Sequence, residues 1–370
     1  MMKKLVIISH TEHQQVADGR YFGWGPTVNE INYLSHHWEE VVHVACLEKG
    51  VAVKGSSAAY SNSNIHFEPI PTFGGKRFWN KLDIIWKMPG ILWKVKQSIK
   101  DASHVQLRVP MGIGIFLIPF FSFRRNSKYK FWIKYANNWG DLNPKIGFRI
   151  QRWMLKKNIA NCKVTINGFW PYQPEHCISF ENPCLHANEI VDARNFISKK
   201  IFKQPFIFLF VGRLEDDKGV QIILDLLEKL SPTIWKKMHF VGDGQRKVSY
   251  LQQAEKFEGK IIFHGFINRK EVHELYKESH FFLFPSYASE GFPKVIAESS
   301  AFGCIPITSV VGSIGHYIKD GINGKIWQND NLHKIDNDLF GIIQNLFEEN
   351  ISLLFTFEHY LEHLKAEKII

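Results

Sequence analysis

The sequence lacks long apolar runs of the kind that cross or are exported through a membrane. Its longest apolar stretch, residues 111–123, contains Pro119 and is shorter than the ~20 residues of a membrane-spanning helix. The apolar part of the N-terminus, residues 5–8, is shorter than the ~7–15 residues that a signal peptide needs. We therefore expect a cytoplasmic protein whose first apolar run is a buried strand.

Cysteine is also scarce, with five residues and no CxxC pair. Without export these thiols are expected to stay unpaired. His176-Cys177 and Cys184-x-His186 resemble pairs of zinc ligands, but the six-residue gap between the two cysteines fits no common zinc site. The sequence thus predicts neither disulfides nor a bound metal.

A dinucleotide fingerprint is incomplete in this sequence. Gly112-x-Gly114 follows an apolar run, but Leu117 stands where the third glycine belongs and Pro110 intervenes. Two glycines are weak evidence for such a site. No nicotinamide or other cofactor is predicted.

Acidic residues are few in the first half of the chain. Residues 1–200 carry 27 Lys and Arg against 14 Asp and Glu, whereas residues 201–370 carry 19 against 22. The net charge of +10 therefore belongs to the first half. An acidic partner such as a membrane surface, a phosphorylated acceptor or a nucleic acid fits this half, and a lysine-rich surface that serves solubility is the alternative.

Length and patterning predict two α/β domains. The chain has 370 residues, 45% of them apolar and 22% charged, which is typical of a globular protein. Short apolar runs alternate with helical patterns, as in parallel sheets of βαβ units. We expect a first Rossmann-like domain over 1–170, a linker over 171–200 and a second Rossmann-like domain over 201–340. Helices follow over 341–370, and their packing back onto the first domain is left open.

The individual elements can be placed approximately. The predicted strands are Leu5–Ser9, Val41–Leu47, Val105–Val109, Tyr129–Tyr135, Lys163–Asn167, Phe206–Val211, Met238–Val241, Ile261–Phe263, Phe281–Phe284 and Ile305–Thr308. The predicted helices are Thr27–Trp38, Phe78–Lys100, Ile113–Phe123, Ile146–Ile159, Val220–Leu230, Gln245–Glu258, Lys270–Ser279 and Pro293–Phe302.

Charged residues and glycines collect directly after the strands of the second half. Ligands of open α/β sheets bind at the carboxyl ends of strands. Arg213 and Lys218 follow one predicted strand, Glu290 follows another, and Glu298 lies inside the next helix, which we expect to start at Pro293. The start of that helix favours a phosphate, the two cations can stabilise a leaving diphosphate, and carboxylates suit sugar hydroxyls.

Taken together, these motifs resemble the retaining glycosyltransferases of family 4, the group 1 type with the GT-B fold. The resemblance rests on Gly212-Arg213-Leu214 with Lys218-Gly219, on the Gly242-Asp243-Gly244 turn and on Glu290-x7-Glu298. It extends over about 205–327 and is weak before 170. It implies two doubly wound domains that face a central cleft, a nucleotide-diphosphate sugar as donor, no metal, and transfer with retention of the anomeric configuration.

The resemblance also implies roles for individual residues. Arg213 and Lys218 would hold the donor diphosphate, and Glu290 would hydrogen-bond the donor sugar. With Arg213 and Lys218, Glu290 forms the predicted catalytic set. The backbone amides of Gly291 and Phe292 would lie near sugar or phosphate oxygens.

Three further positions follow from the same resemblance. Glu298 would hydrogen-bond the ribose hydroxyls. The turn at Phe266 and Ile267 would lie near the nucleobase. As plain structural alternatives, the charged residues could be solvated surface groups, and Gly242 and Gly244 could simply form a tight turn.

The first domain carries weaker signals. Gly23 and Gly25 precede the first helix and are candidates for a phosphate-binding loop, with an ordinary turn as the alternative. Residues 10–21 look like an insertion between the first strand and that loop. His10 and Asn138 follow strands and are candidates for the site, but each could be an ordinary polar loop residue.

A tryptophan repeat indicates a further surface of the first domain. Trp79, Trp86 and Trp93 recur every seven residues among lysines, and so share one helical face. Basic residues with tryptophan suit a lipid headgroup interface, although such a stripe also suits a core. Peripheral contact with an anionic membrane is therefore one expectation.

We conclude from the sequence that the chain is a glycosyltransferase of hexosyl or related type. The expected acceptor is a saccharide, in particular a lipid-linked one of bacterial capsule, O-antigen or lipopolysaccharide synthesis, and no nucleic acid is expected. The alternatives are another GT-B enzyme such as a nucleotide-sugar epimerase, and a non-catalytic module that binds anions or membranes.

Overall fold

A computed structural model describes residues 2–48, 50–53, 55–73, 78–123, 128–327 and 351–370, without the side chains of 78–82. The chain divides into two compact units. Unit 1 comprises Met1–Phe180 and Leu361–Ile370, and unit 2 comprises Glu181–Tyr360. The boundary after Phe180 lies within the predicted linker range, and the last ten residues belong to unit 1.

Unit 1 contains a twisted sheet whose parallel strands run in the order β5-β3-β1-β6-β7-β8-β9, with β2 and β4 added as antiparallel strands. The strands are β1 Met2–Gln15, β2 Tyr21–Trp24, β3 Trp38–Glu48, β4 Ser57–Ala59, β5 Ile65–Pro71, β6 His104–Val109, β7 Lys130–Tyr135, β8 Lys163–Ile166 and β9 Cys177–Ser179. The helices are α1 Gly25–Ser35, α2 Phe78–Ser98, α3 Gly114–Ser122 and α4 Ile146–Lys156.

Unit 2 has one parallel sheet in the order β12-β11-β10-β13-β14-β15 among its described strands. They are β10 Phe206–Val211, β11 Trp235–Val241, β12 Ile261–Gly265, β13 Phe281–Phe284, β14 Ile305–Thr308 and β15 Lys325–Ile326. The helices are α5 Ala187–Ile197, α6 Val220–Lys229, α7 Lys247–Ala254, α8 Arg269–Glu278, α9 Lys294–Ala301, α10 Ile314–Tyr317 and α11 Phe357–Ala366, of which α11 runs on into unit 1. Among the described residues, 3₁₀ turns cover Asp216–Lys218, Glu255–Phe257 and Ile351–Phe355.

The central strands of both units are buried on both faces. β10 and β13 consist entirely of apolar residues, and all of these are buried except Val211 at the end of β10, as parallel strands covered by helices require. Within the described residues no helix is long and apolar enough to cross a membrane.

The first strand differs from its prediction. β1 extends to Gln15, and β2 returns antiparallel to it, pairing Gly23 with His13. Part of the predicted insertion at 10–21 is therefore a β-hairpin that continues the sheet. The hairpin extends the sheet of unit 1, and α1 begins directly after its second strand.

Four strands of unit 1, β2, β4, β5 and β9, were not predicted from the sequence. β5 contains Pro69 and Pro71, which argue against a central strand, but it pairs with β3 on one side only, and an edge strand tolerates proline. β9 has three residues and lies in the range predicted as linker. Of the predicted C-terminal helices over 341–370, residues 341–350 lie outside the described residues.

Candidate active site in the second unit

The loops that follow β10 and β13 are tied together by hydrogen bonds. The backbone amides of Tyr287 and Ala288 donate to the carbonyl oxygen of Asp217, at 3.0 and 3.1 Å. The Ser286 hydroxyl donates to the same oxygen at 3.2 Å. One carbonyl of the 3₁₀ turn therefore holds the loop that carries Glu290.

Lys218 and Glu290 meet at this junction. Lys218 Nζ donates to Glu290 Oε1 at 2.7 Å, and Lys218 is 7% exposed. The side chain of Glu290 is 33% exposed, so it remains accessible to a ligand. These two candidates, 72 positions apart in the sequence, are brought together as one ion pair.

Gly219 sets the geometry of this turn. Its φ is +76°, in the left-handed region, and a Cβ there would lie 2.3 Å from the Pro285 carbonyl oxygen. Any other residue would therefore push the two loops apart. The glycine that follows Lys218 is required for the contact between Lys218 and Glu290.

Arg213 lies apart from this ion pair. Its Nη1 donates to Glu215 Oε2 at 2.9 Å, and its side chain is 54% exposed. Arg213 follows β10 after one glycine, as predicted, and its partner is the neighbouring, partly exposed carboxylate of Glu215. Its role toward a diphosphate stays a prediction.

The Gly242-Asp243-Gly244 segment serves close packing of two loops. A Cβ on Gly242 would lie 2.0 Å from the Gly212 carbonyl oxygen, and one on Gly244 would lie 2.4 Å from that of Leu214. Leu214 N also donates to the Asp243 carbonyl at 2.9 Å. Both glycines are needed where the loop after β11 crosses the loop that carries Arg213.

A further glycine, Gly312, lies against the backbone of the Glu290 loop. Gly312 has φ of +58°, and a Cβ there would lie 2.0 Å from the Glu290 carbonyl oxygen and 2.7 Å from that of Gly291. Sequence reasoning did not single out Gly312, because nothing in its neighbourhood marks a contact with residues some twenty positions earlier.

Phe292 is a core residue. It is 4% exposed, stacks on Phe355 with ring centroids 4.4 Å apart and meets Tyr317 edge-on at 5.0 Å. Only its backbone is left for the predicted role near donor oxygens. The aromatic packing anchors the Glu290–Gly291 segment directly ahead of α9.

Helix α9 begins at Lys294, with Pro293 as its N-cap, one residue later than predicted. The amides of its first turn have no acceptor within the helix, and the dipole is positive there. Glu290 precedes this helix start and Glu298 lies in its second turn. The local arrangement suits a phosphate with hydroxyl groups on either side.

Glu298 is bound by an arginine that the sequence analysis missed. Arg269 Nη1 donates to Glu298 Oε1 at 2.5 Å. The same guanidinium donates to both oxygens of Glu189, at 3.2 and 3.0 Å, and to the Cys184 carbonyl at 2.6 Å. The side chain of Glu298 is only 13% exposed. A single arginine thus orients the predicted ribose-binding carboxylate.

Arg269 and the carboxylates of Glu189 and Glu298 stabilise one another in their charged forms. Burial disfavours the charged guanidinium, but the Glu298 and Glu189 carboxylates outweigh it and raise the pKa of Arg269. Burial likewise disfavours ionised Glu189, but its hydrogen bonds from Arg269 prevail and lower its pKa.

We expect Arg269→Met to destabilise unit 2 by roughly 2 kcal/mol, since it leaves two part-buried carboxylates without their cation. The matched control is Arg246→Met, because Arg246 pairs with Asp216 at 2.9 Å but both side chains are about half exposed or more. That change should cost less than about 1 kcal/mol. Urea unfolding at neutral pH measures both.

The same comparison has a pH dependence. Because the pKa of Glu189 is depressed in the folded state, its contribution is present above about 4.5, the value of an unperturbed glutamate, and is lost as the pH falls through the lower folded value. The stability difference between wild type and Arg269→Met should therefore shrink in acid. An equal loss of unfolding free energy in both arginine variants would contradict the bridging role of Arg269.

Phe266 and Ile267 follow β12. Phe266 is 51% exposed, whereas Ile267 is partly buried and packs on the core of unit 2. An accessible aromatic ring at the carboxyl end of a strand is suited to stacking on a base. Of the two predicted positions, Phe266 has the side chain available for it.

In unit 1, Gly23 and Gly25 lie in regular structure and not in a loop. Gly23 is inside β2, where a Cβ would lie 2.2 Å from His13 Nε2. Gly25 is the first residue of α1, where a Cβ would lie 2.8 Å from the Ser56 carbonyl oxygen. Both glycines have packing reasons that involve no phosphate, so their role toward a donor stays a prediction.

His10 and Asn138 differ in their surroundings. Asn138 is 9% exposed, and its side-chain oxygen accepts from Gly140 N at 3.0 Å, which is the pattern of an ordinary polar turn. His10 is exposed and lines a cavity of unit 1.

Part of the chain is similar in sequence to known proteins. Residues 192–345 match the family model for glycosyl transferases group 1. An uncharacterized glycosyltransferase of Methanocaldococcus jannaschii is 30% identical over 168 residues, which is 45% of this chain and 40% of that protein. The lipopolysaccharide 1,2-N-acetylglucosaminetransferase of Salmonella typhimurium is 28% identical over 136 residues, 34% of this chain and 35% of that protein. The chain thus spans less than half the length of these curated relatives.

Structural similarity extends over the whole chain. The crystal structure of Anabaena HepE in complex with UDP matches with a TM-score of 0.64 over 99% of either chain, at 15% identity. The predicted α/β class with two Rossmann-like domains of GT-B type is confirmed. Residues 192–345 of this GT-B chain are therefore similar to the glycosyl transferases of group 1.

Proposed function

We propose that the chain is a retaining, metal-independent glycosyltransferase of family 4 that takes its sugar from a nucleotide-diphosphate donor. The contact between Lys218 Nζ and Glu290 Oε1 ahead of α9 carries this proposal. This ion pair joins a cation that suits a phosphate to a carboxylate that suits sugar hydroxyls, and Glu290 shortly precedes the N-terminus of α9. The solved structure that binds UDP on the same fold supports a nucleotide sugar as the donor.

The proposed reaction is the one that the resemblance to family 4 implies. The bond between the anomeric carbon and the diphosphate oxygen breaks, and a bond from that carbon to the acceptor hydroxyl oxygen forms on the same face. The acceptor proton passes to the departing phosphate oxygen. Lys218 exchanges its contact with Glu290 for this oxygen, Arg213 exchanges its contact with Glu215 for the diphosphate, and the two cations stabilise the charge that develops there.

Glu290 and Glu298 orient the donor in this scheme. Glu290, released by Lys218, accepts hydrogen bonds from the sugar hydroxyls. Glu298 accepts from the ribose hydroxyls and is held for this by Arg269. Both carboxylates stay clear of the phosphate, since like charges repel.

The proposed acceptor is a saccharide, in particular a lipid-linked one of bacterial cell-surface polysaccharide or lipopolysaccharide synthesis on the cytoplasmic face of the membrane. The relative that acts on lipopolysaccharide supports this class. The excess of basic residues in the first half of the chain suits an acceptor that carries phosphate.

Helix α4 provides the strongest support for peripheral membrane contact. Ile146, Ile150 and Trp153 lie on one face and are 68, 37 and 54% exposed, and Arg149 and Lys156 are also exposed. An apolar face with basic neighbours suits an anionic interface. In α2, Trp86 and Trp93 are 85 and 62% exposed, which favours the interface interpretation of that stripe, whereas the side chain of Trp79 lies outside the described residues.

We expect Ile150→Glu with Trp153→Glu to weaken co-sedimentation with phosphatidylglycerol vesicles about tenfold or more, because two apolar side chains then cannot enter the lipid. Val191→Glu is the matched control, since Val191 is 59% exposed on a helix of unit 2. Unchanged sedimentation of the double variant would exclude α4 as the membrane contact.

A panel of UDP-, GDP- and ADP-sugars tests the proposed function. Saturation-transfer NMR should identify at least one member that binds, and nucleoside diphosphate should be released when that donor is turned over. Binding by no member at millimolar concentration would overturn the proposal. Conversion of the donor to its epimer without any acceptor would replace it by an epimerase.

A further inference from the structure

Glu189 is a part-buried carboxylate of unit 2 that lies outside every motif of the sequence analysis. It is the third residue of α5 and precedes residues 192–345, which match the family model. Its side chain is 21% exposed. The start of α5 fixes its conformation, because Glu189 Oε2 accepts from the His186 amide at 2.8 Å, as in a capping box. Glu189 is therefore held in place before any ligand binds.

Arg269 is an unusual residue for its position in a helix. It is the first residue of α8, where the helix dipole is positive and disfavours a cation. Two carboxylates, those of Glu189 and Glu298, lie within hydrogen-bond distance of its guanidinium and offset this cost. The contacts of Arg269 with the two carboxylates thus account for its position better than the helix does.

The hydrogen bonds of Arg269 divide its guanidinium between these carboxylates. Nε and Nη2 donate to the two oxygens of Glu189, at 3.2 and 3.0 Å, which is the bidentate geometry that favours an arginine–carboxylate pair. Nη2 also donates to the Cys184 carbonyl oxygen at 2.6 Å. Only Nη1 is left for Glu298, and it donates to Oε1 at 2.5 Å. Glu298 therefore binds the arginine through one oxygen and not through two.

This division leaves the second oxygen of Glu298 available. Glu298 Oε2 makes no hydrogen bond within the described part of the chain, and it is not one of the side-chain oxygens that are sealed from solvent without a partner. An ionised carboxylate oxygen accepts hydrogen bonds from hydroxyl groups. Because the arginine fixes Oε1, the orientation of Oε2 is set before a ligand arrives.

Without Glu189, the same arginine could take both oxygens of Glu298. A bidentate pair is stronger than a single contact, and it needs two neighbouring nitrogens of the guanidinium. Glu189 occupies Nε and Nη2, and the Cys184 carbonyl takes the remaining hydrogen of Nη2. The pair of nitrogens Nη1 and Nη2 is therefore closed to Glu298. Competition between the two glutamates keeps Oε2 of Glu298 accessible.

We propose that Glu189 is a positioning residue of the donor site, which holds Arg269 so that one oxygen of Glu298 stays available to the hydroxyl groups of the ribose. Glu189 acts through Arg269 and Glu298 and not on the substrate itself. That the hydroxyl groups belong to a donor ribose rests on the proposed function. The proposal predicts that Glu189 controls the preference of the site for nucleotides that carry ribose hydroxyls.

This preference can be measured directly. UDP, GDP and ADP, each with its 2′,3′-dideoxy form, are titrated into the 370-residue chain by isothermal calorimetry. Wild type should bind at least one diphosphate about tenfold or more tightly than its dideoxy form, because hydrogen bonds to a charged group are lost. In Glu189→Ala this ratio should fall below about threefold. A variant that merely loosens the site would weaken both forms and leave the ratio unchanged.

The two Glu189 variants are both expected to fold. Arg269 keeps Glu298 as its partner, so neither variant leaves a part-buried charge alone. Glu189→Gln also keeps an oxygen for the His186 amide. A neutral amide competes less well for the guanidinium, so the ratio in Glu189→Gln should lie between those of wild type and Glu189→Ala.

Transfer kinetics give a second measure of the same role. In Glu189→Ala the KM for the donor should rise about tenfold, while kcat should change less than about threefold. The reason is that the ribose lies away from the bond that breaks. A loss confined to kcat would contradict a role in positioning the ribose.

Two matched controls should keep the wild-type ratio. Asn188→Ala removes another polar side chain at the same helix start, where Asn188 Oδ1 accepts from the Glu189 amide at 2.9 Å. Glu228→Ala removes a carboxylate from an exposed ion pair with Lys256. An equal fall of the ratio in Asn188→Ala would reduce the role of Glu189 to helix capping and overturn the proposal.

The outcomes separate this proposal from the proposed function. If no diphosphate binds to wild type, the proposed function fails and this proposal fails with it. If a diphosphate binds and its ratio is unchanged in both Glu189 variants, only the positioning role fails. If wild type binds the ribose and dideoxy forms equally well, the diphosphate site stands, and the roles of Glu298 and Glu189 toward hydroxyl groups fail.

Discussion

Replacing Lys218 with alanine is expected to lower the rate of sugar transfer by about 10²–10³-fold, the usual cost of removing one preorganised contact to a developing negative charge. Lys218 is 7% exposed, so its cation acts where water screens it little. Its loss also leaves Glu290 without the partner that now lies 2.7 Å away. Steady-state release of nucleoside diphosphate from the donor identified by the panel measures the effect.

This experiment includes a second site variant, Glu290→Gln, and a control variant, Lys229→Ala. The glutamine keeps the size of the side chain and one oxygen acceptor but removes the charge, so the loss should be smaller than in Lys218→Ala. Lys229 is exposed near the end of α6, and its removal should leave the rate unchanged. Wild-type turnover in a folded Lys218→Ala variant would remove the basis of the proposed mechanism.

Mild acid is expected to destabilise unit 1 through His13 and His43, which are both buried and hydrogen-bonded to the Tyr60 hydroxyl. Burial lowers the pKa of His13 to about 4, and burial with the nearby charges of His13 and Arg108 holds the pKa of His43 well below its ordinary value. Burial also raises the pKa of Tyr60, so its hydroxyl stays protonated and can donate to His13. The folded chain thus holds both imidazoles neutral.

The sign of the effect follows from proton uptake. Below pH 6.5, the ordinary value, the unfolded chain binds protons at these histidines, while folded His13 does so only near pH 4. Stability is therefore fully present above about 6.5 and is lost as the pH falls below it. When the pH falls from 7.5 to 5.0, each such histidine should lower the free energy of unfolding by about 2 kcal/mol.

Urea unfolding of wild type, His13→Asn and His43→Asn at several pH values tests this. Each variant should be less stable at neutral pH, because it removes a histidine that is hydrogen-bonded to the Tyr60 hydroxyl. Each should also lose about 2 kcal/mol less than wild type on acidification. Parallel pH profiles for wild type and both variants would show that these histidines do not titrate as their burial requires.

The strands of unit 2 could be predicted closely because they are buried on both faces. Phe206–Val211, Phe281–Phe284 and Ile305–Thr308 are found with the predicted bounds, since runs of large apolar residues between turn signals have few alternatives. The edges of unit 1 were harder to predict. β2, β4 and β5 are short, mixed in polarity or proline-containing, and they form because partner strands are already present.

The candidate site was predicted in its residue types more than in its contacts. Lys218 and Glu290 were both singled out, but nothing local indicates that they pair. Arg269 was missed because a charged residue at the start of a helix has the pattern of ordinary solvated surface. Gly312 was missed because its purpose, room for the Glu290 backbone, exists only once two loops cross.

The sequence by itself determined the α/β class, the succession of strands and helices in the second half, and which charged groups follow the strands. These depend on periodicity and turn chemistry within a few residues of each position. The tertiary structure alone decided that Lys218 meets Glu290, that Arg269 binds Glu298, and that Glu189 shares this arginine. Such contacts join residues far apart in the chain, and their geometry is set by strand register and packing, which no local pattern contains.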